Sequence, residues 1–172
     1  MDFKEGLLTR RSIRKFKTGN VSKETIEDIL KIGMYAPSAK NLQPWEFVVI
    51  QDKKSLSEIK VFHPYTSFIE DAGQAILVCG DVEVQHKDGN WVTDASAATQ
   101  NILYACHEKG LGAVWCGVFP DVDFMKWFEE KFELPKHVKT LALVIFGEIE
   151  DGFEARQPST RFKEEKIHWE KW

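Results

Sequence analysis

The chain is poor in cysteine, and its thiols form no pattern. Cys79, Cys106 and Cys116 are the only three, and no two have Cys-x-x-Cys spacing. An odd, scattered set fits a reducing compartment better than a disulfide-stapled scaffold. The histidines, His63, His86, His107, His137 and His168, have no metal-ligand spacing with one another or with the cysteines. A structural or catalytic metal is therefore not expected. Long apolar runs are also missing: Ala75 to Cys79 and Leu141 to Phe146 are strand-sized, too short to span a bilayer. The start, Met-Asp-Phe-Lys-Glu, has no apolar signal region, so a cytoplasmic location is the expectation. Basic residues are not in excess: 23 Lys and Arg stand against 27 Asp and Glu, a net charge of −4. Nucleic acid is thus not expected as a general partner. There is no internal repeat, no low-complexity segment and no Gly-rich dinucleotide fingerprint. No nucleophile-and-base pair stands out.

What is present suits one globular domain. The chain has 172 residues, 43% of them hydrophobic and 29% charged, enough for a sizeable core. The pattern predicts a first helix over 2–10, with Gly6 a weak point. Gly19-Asn20 marks a turn. Ser22 is placed to cap a second helix, with Val21 and Ile26 as a hydrophobic staple and Pro37 barring continuation. Glu46 to Ile50 reads as a buried strand, Ser55 to Val61 as a short helix, and 62–71 as irregular. Gln74 to Gly80 reads as a strand buried on both faces. Residues 81–89 read as a loop. A helix over 90–109 carries the small-residue run Asp94-Ala95-Ser96-Ala97-Ala98, which suits either close packing within one subunit or a contact between subunits. Gly110-Leu111-Gly112 caps it. A strand from Ala113 to Val118, a helix capped by Asp121, and a strand from Thr140 to Gly147 follow. Residues 149–172 are a charged tail, yet two of the six tryptophans, Trp169 and Trp172, lie in its last four residues. That points to a tail packed on something.

Three stretches carry candidate chemistry. Arg10-Arg11-Ser12-Ile13-Arg14-Lys15-Phe16 puts four cations and a hydroxyl within six residues. Guanidinium forks suit a phosphate dianion, and an extended 12–14 would point Ser12 and Arg14 to the same side. A solvated basic segment is the plain alternative. Ala36-Pro37-Ser38-Ala39-Lys40-Asn41-Leu42-Gln43-Pro44-Trp45 is a loop bracketed by prolines. Its amides could match a flavin edge of carbonyls and an N–H, or could serve local capping. Gly117, at the end of a strand, would let backbone approach a flat ligand.

Taken in order, these stretches resemble the FMN-dependent nitroreductase family over roughly residues 6 to 165. The landmarks are Arg10 to Phe16, then Ala36 to Trp45, then Gly110-Leu111-Gly112-Ala113-Val114-Trp115, then Arg161 after the last strand. The resemblance implies an α+β fold, with a mostly antiparallel central sheet flanked by helices, built as an intertwined homodimer with FMN at the interface. It implies that Arg10, Arg11, Ser12 and Arg161 hold the phosphate and ribityl chain. Arg14 would lie near the pyrimidine edge of the ring, stabilising the negative charge of reduced flavin. Pro37, Ser38, Ala39, Asn41 and Gln43 would belong to a loop that reaches the ring from the other subunit. Trp115, Cys116, Gly117 and Val118 would form the strand end behind the ring, and the tail would embrace the partner. The implied activity is ping-pong hydride transfer from NADH or NADPH through FMN to a nitroaromatic, quinone or related small acceptor.

The chain departs from that pattern in two places. Phe119 to Pro135 is compact where many members place a substrate-covering excursion. Tyr65-Thr66-Ser67-Phe68 lacks the Asn and Lys that some longer members direct at the flavin. Two other functions compete with the leading one: a flavin enzyme of the same fold with another reaction, such as dehalogenation or flavin fragmentation, and an FMN-binding protein that stores or senses flavin without turnover.

Overall fold

The centre of the molecule is two strands that are apolar along their middles, β2 (Ala75–Asp81) and β4 (Val138–Glu148). The computed structural model describes residues 2–155 and 161–172. β2 and β4 pair antiparallel, with β1 (Trp45–Ile50) outside β2 and β3 (Leu111–Gly117) outside β4, giving the order β1-β2-β4-β3. The pairings among these four strands are antiparallel, in line with the mostly antiparallel sheet expected.

Alternation along the strands splits the core in two. Ala75, Leu77, Cys79, Leu143 and Ile145 face one side, under α3 (Lys53–Phe62), α4 (Ile69–Ala72) and α6 (Val122–Lys131). Ile76, Val78, Ala142, Val144 and Phe146 face the other, under α2 (Lys23–Gly33) and α5 (Asn90–Glu108). The helix α5 packs on all four strands and on α1 (Phe3–Thr9) and α2. Its small residues Ala95, Ala98 and Ala105 are spent inside this chain, all buried.

The caps follow the sequence. The Ser22 hydroxyl accepts the Thr25 N–H at 3.2 Å, and the Asp121 carboxylate accepts the N–H groups of Asp123 and Phe124 at 3.1 and 3.0 Å. Gly110 takes a φ of +73° after α5, a left-handed turn that glycine adopts freely.

Three expectations need correction. The first strand is not buried throughout: Glu46 and Val49 are exposed, because β1 is a sheet edge. Residues 62–71 are not wholly irregular, since Ile69 starts the one-turn helix α4. Leu111 and Gly112 are strand rather than cap, so β3 starts two residues earlier than expected. In the tail, the described residues 161–172 are all exposed on this chain; residues 156–160 lie outside the described residues. Among the described residues, no helix is long and apolar enough to cross a membrane.

Candidate functional site

The basic segment is fixed to the open edge of β3. The Ile13 N–H donates to the Ala113 carbonyl at 3.0 Å, and Ser12 forms a parallel bridge with Ala113. Further on, the Lys17 N–H donates to the Glu148 carbonyl at 2.9 Å. Ile13 is buried while Ser12 and Arg14 are exposed, so the two polar side chains share the outward side, as the extended reading required. Gly112 makes this docking possible: a Cβ there would lie 2.7 Å from Cγ2 of Ile13.

The cations divide into two groups. Arg10 is half-buried, and Arg11 and Arg161 are near enough to act on it. Burial lowers the Arg10 guanidinium below its ordinary value, and the charges of Arg11 and Arg161 lower it further. The Arg11 guanidinium also donates to the carbonyls of Leu8 and Arg10 at the end of α1. Lys15 and Lys17 turn elsewhere, pairing with Glu150 at 3.8 Å and Asp151 at 2.7 Å. Two guanidiniums crowding a third, half-buried one disfavour its charge, against the opposite pull of Tyr104, and a bound anion would relieve Arg10 there.

Beyond Arg10 the same edge leads into a cleft of about 400 Å³, lined by Arg14, Tyr65, Ser67, Phe68, Trp115, Cys116 and Gly117. The Val118 N–H donates to the Leu141 carbonyl, so that pair is hydrogen-bonded across β3 and β4. Gly117, opposite Ala142, therefore falls at a non-hydrogen-bonded position. Its N–H and C=O point away from β4, towards the outer edge. Trp115 is in the same phase. A Cβ at Gly117 would meet open space. Val118 is different: its side chain is buried in the core. Cys116 is buried too, and burial pushes its thiol up to about 11, outweighing the opposite pull of Arg14. Cys79 and Cys106 are pushed up to about 12 by burial. These are inert thiols at neutral pH.

The proline-bracketed loop is built by other means. Lys40, Asn41 and Gln43 have φ values of +53°, +57° and +54°. Left-handed backbone at non-glycine residues costs roughly 1–2 kcal/mol each and persists only where surroundings enforce it. Two of the enforcing bonds are local and one group is remote. The Ser38 hydroxyl accepts the Gln43 N–H at 2.9 Å, and the Asn41 carbonyl oxygen accepts the Gln43 side-chain amide at 2.9 Å. The Ala39 N–H points between both oxygens of the buried Asp94, at 3.2 Å each. Pro37, Asn41 and Gln43 are exposed.

The structure thus brings together Arg10, Arg11 and Arg161, and separately Arg14, Trp115, Cys116 and Gly117. Within one chain the loop lies apart from the Arg10 group, and none of its residues lines the cleft under Arg14. The loop is moored at Asp94, whereas Arg10 lies in electrostatic reach of Tyr104, ten residues along α5 and about 15 Å away at 1.5 Å per residue. Sequence reasoning missed Asp94, visible only as an acidic residue in a small-residue run. It also missed His63, whose Nε2 lies 2.9 Å from the Gly117 carbonyl.

Comparison with known proteins agrees with this fold. The sequence model of the nitroreductase family matches residues 7–88 and 63–148. A Methanothermobacter thermautotrophicus protein provisionally named NADH dehydrogenase/NAD(P)H nitroreductase is 42% identical over 174 residues, all of this chain and 88% of the relative. The solved structure of an FMN-dependent nitroreductase from Clostridium difficile R20291 is 30% identical, with a TM-score of 0.86 over 99% of this chain and 100% of the other. A provisionally named nitroreductase from Desulfovibrio desulfuricans, solved in complex with FMN, is 31% identical with a TM-score of 0.76 over 90% of each chain. With the family model spanning residues 7–148 and relatives of 30% identity or more matching along nearly the whole chain, the chain belongs to the nitroreductase family.

Proposed function

We propose that the protein is an FMN-dependent NAD(P)H oxidoreductase that acts on a small acceptor such as a nitroaromatic or a quinone. The observation that carries this reading is the continuous edge of β3, with crowded guanidiniums at Arg10 and, further along, a cleft under Arg14. FMN has a phosphate at one end and a carbonyl-rich ring at the other, and the residues present fit both. Arg10, Arg11 and Arg161 would hold the phosphate, with Ser12 donating along the chain that joins it to the ring. Arg14 and the outward N–H groups of Trp115 and Gly117 would face the polar edge of the ring. Cys116 and Val118 would support the strand behind it.

When bound, FMN supplies the hydride chemistry between nicotinamide and acceptor. The protein's part is to bind, orient and stabilise. A fixed guanidinium at Arg14 favours negative charge at its end of the cleft. The high thiol of Cys116 adds no competing charge there.

The rest of the site belongs to a second copy of the chain. In this reading Pro37, Ser38, Ala39, Asn41 and Gln43 present their amides across a homodimer interface. Each subunit is a single domain whose tail lies on its partner. In support, Trp169 and Trp172 are 83% and 101% exposed on the isolated chain, and the strained loop is exposed as well. A cytoplasmic location, with access to NAD(P)H, goes with this assignment.

Flavin content of an Arg10→Ala, Arg14→Ala double variant tests the reading. Each lost charge-assisted contact is worth about 1.5–3 kcal/mol, so the variant should fold and lose flavin on purification. A double variant that keeps full flavin content contradicts the assignment.

A further inference from the structure

His63 ties the two walls of the cleft together, and its role there rests on the flavin-binding reading of that cleft. His63 follows α3 and is 1% exposed. Its Nε2 is 2.9 Å from the Gly117 carbonyl oxygen, and its Nδ1 is 3.3 Å from the Tyr65 nitrogen. A carbonyl only accepts and a backbone N–H only donates. Nε2 must therefore carry the ring proton and Nδ1 must be bare. One neutral tautomer thus spans from the end of β3 to the turn that carries Tyr65.

The ring cannot easily turn away. It stacks on Phe124 at 4.5 Å and 29°, with Phe128 edge-on at 6.4 Å and 64°. The His63 carbonyl accepts the Thr66 hydroxyl at 2.8 Å and the Thr66 N–H at 3.2 Å, which closes the turn. The Gly117 carbonyl points away from β4, and His63 is the partner it meets on that side, while the Val118 N–H of the same peptide is bonded to Leu141 of β4. Both tied residues, Gly117 and Tyr65, line the cleft.

We propose that His63 is a positioning residue for the site. Through Nε2 it holds the Gly117 carbonyl, and so limits rotation about the glycine Cα, on whose other side lies the N–H aimed at the flavin. Through Nδ1 it holds the Tyr65 turn on the side where a small planar acceptor enters.

The two bonds can be separated by substitution. His63→Asn keeps an acceptor where Nδ1 was and loses the donor to Gly117. His63→Gln keeps a donor where Nε2 was and loses the acceptor for Tyr65. His63→Phe keeps the stacked ring and loses both. FMN affinity of the apoprotein, read from flavin fluorescence, and KM and kcat for a benzoquinone acceptor are compared across the three. One lost hydrogen bond should move its own readout about tenfold and leave the other within roughly threefold. H63N should therefore weaken FMN binding, H63Q should raise the quinone KM with little change in kcat, and H63F should do both. Ring ¹⁵N NMR of the wild-type protein should show His63 as the Nε2-protonated neutral form, a check that needs no variant to fold. Three variants that lose thermal stability alike, with FMN affinity and quinone KM unchanged, overturn the proposal, as does a ring protonated at Nδ1. A wild-type protein that takes up no FMN overturns the flavin reading and this proposal with it. Wild-type uptake with indifferent variants overturns this proposal alone.

Discussion

The basic segment at 10–17 and the loop at 37–43 meet the same need, rigid presentation of polar groups, by opposite means. The first borrows rigidity from the sheet. Its backbone bonds to Ala113 and Glu148, and buried Ile13 and Phe16 anchor it. The second makes its own rigidity, with three left-handed residues held by Ser38, Asn41 and a buried Asp94. A segment paired to a sheet edge can be read from alternation. A loop stabilised against its own backbone preferences cannot, because its left-handed residues run against local propensity and one of its holds, Asp94, lies far along the chain.

That contrast can be broken at its strongest point first. Gly112→Val puts a side chain where Ile13 now packs. Overpacking of that kind costs typically 1–3 kcal/mol, and here it should also lift the segment from β3. The expected outcome is a lower urea midpoint together with loss of flavin. A variant with both unchanged would mean the segment does not depend on the sheet edge.

The loop should respond differently. Asp94→Ala leaves the Ala39 N–H without its carboxylate, which should cost about 1–2 kcal/mol. Hydrogen exchange should rise in 37–43 while residues 10–17 stay protected. Equal loosening of both regions would erase the distinction drawn between them. Lys40→Gly is milder and has the opposite sign. Removing the left-handed penalty should stabilise by roughly 0.5–1 kcal/mol, read as a higher melting temperature.

The smallest effect concerns His107, whose Nε2 sits 2.9 Å from the Thr9 hydroxyl at the end of α1. Burial, then the charges of Arg10 and Arg11, lower its pKa below the ordinary 6.5. The folded protein therefore binds this proton less readily than the unfolded chain. Stability should fall as pH drops below about 6.5 and return above it. His107→Gln should flatten the stability curve in that window only; an identical curve would remove the His107 account.

How much could be read in advance follows the same line. The four strands, the caps at Ser22 and Asp121 and the turn at Gly110 are local signals, and they were legible. The landmarks around Arg10, Gln43 and Trp115 were legible as composition in order. The edge position of β1 was not, since Phe47 and Val48 look alike in a central or an outer strand. Asp94 and His63 were not either. A carboxylate on a helix and a histidine before a proline carry no local mark of the N–H or carbonyl they will meet 55 or 54 residues away.

The central claim is that the β3 edge holds an FMN that NAD(P)H can reduce. Its most direct test is an absorbance spectrum of the purified protein, followed by anaerobic addition of NADH and then NADPH. The account predicts flavin bands that bleach with at least one nucleotide and return when a quinone is added. A colourless protein that takes up no added FMN would contradict it.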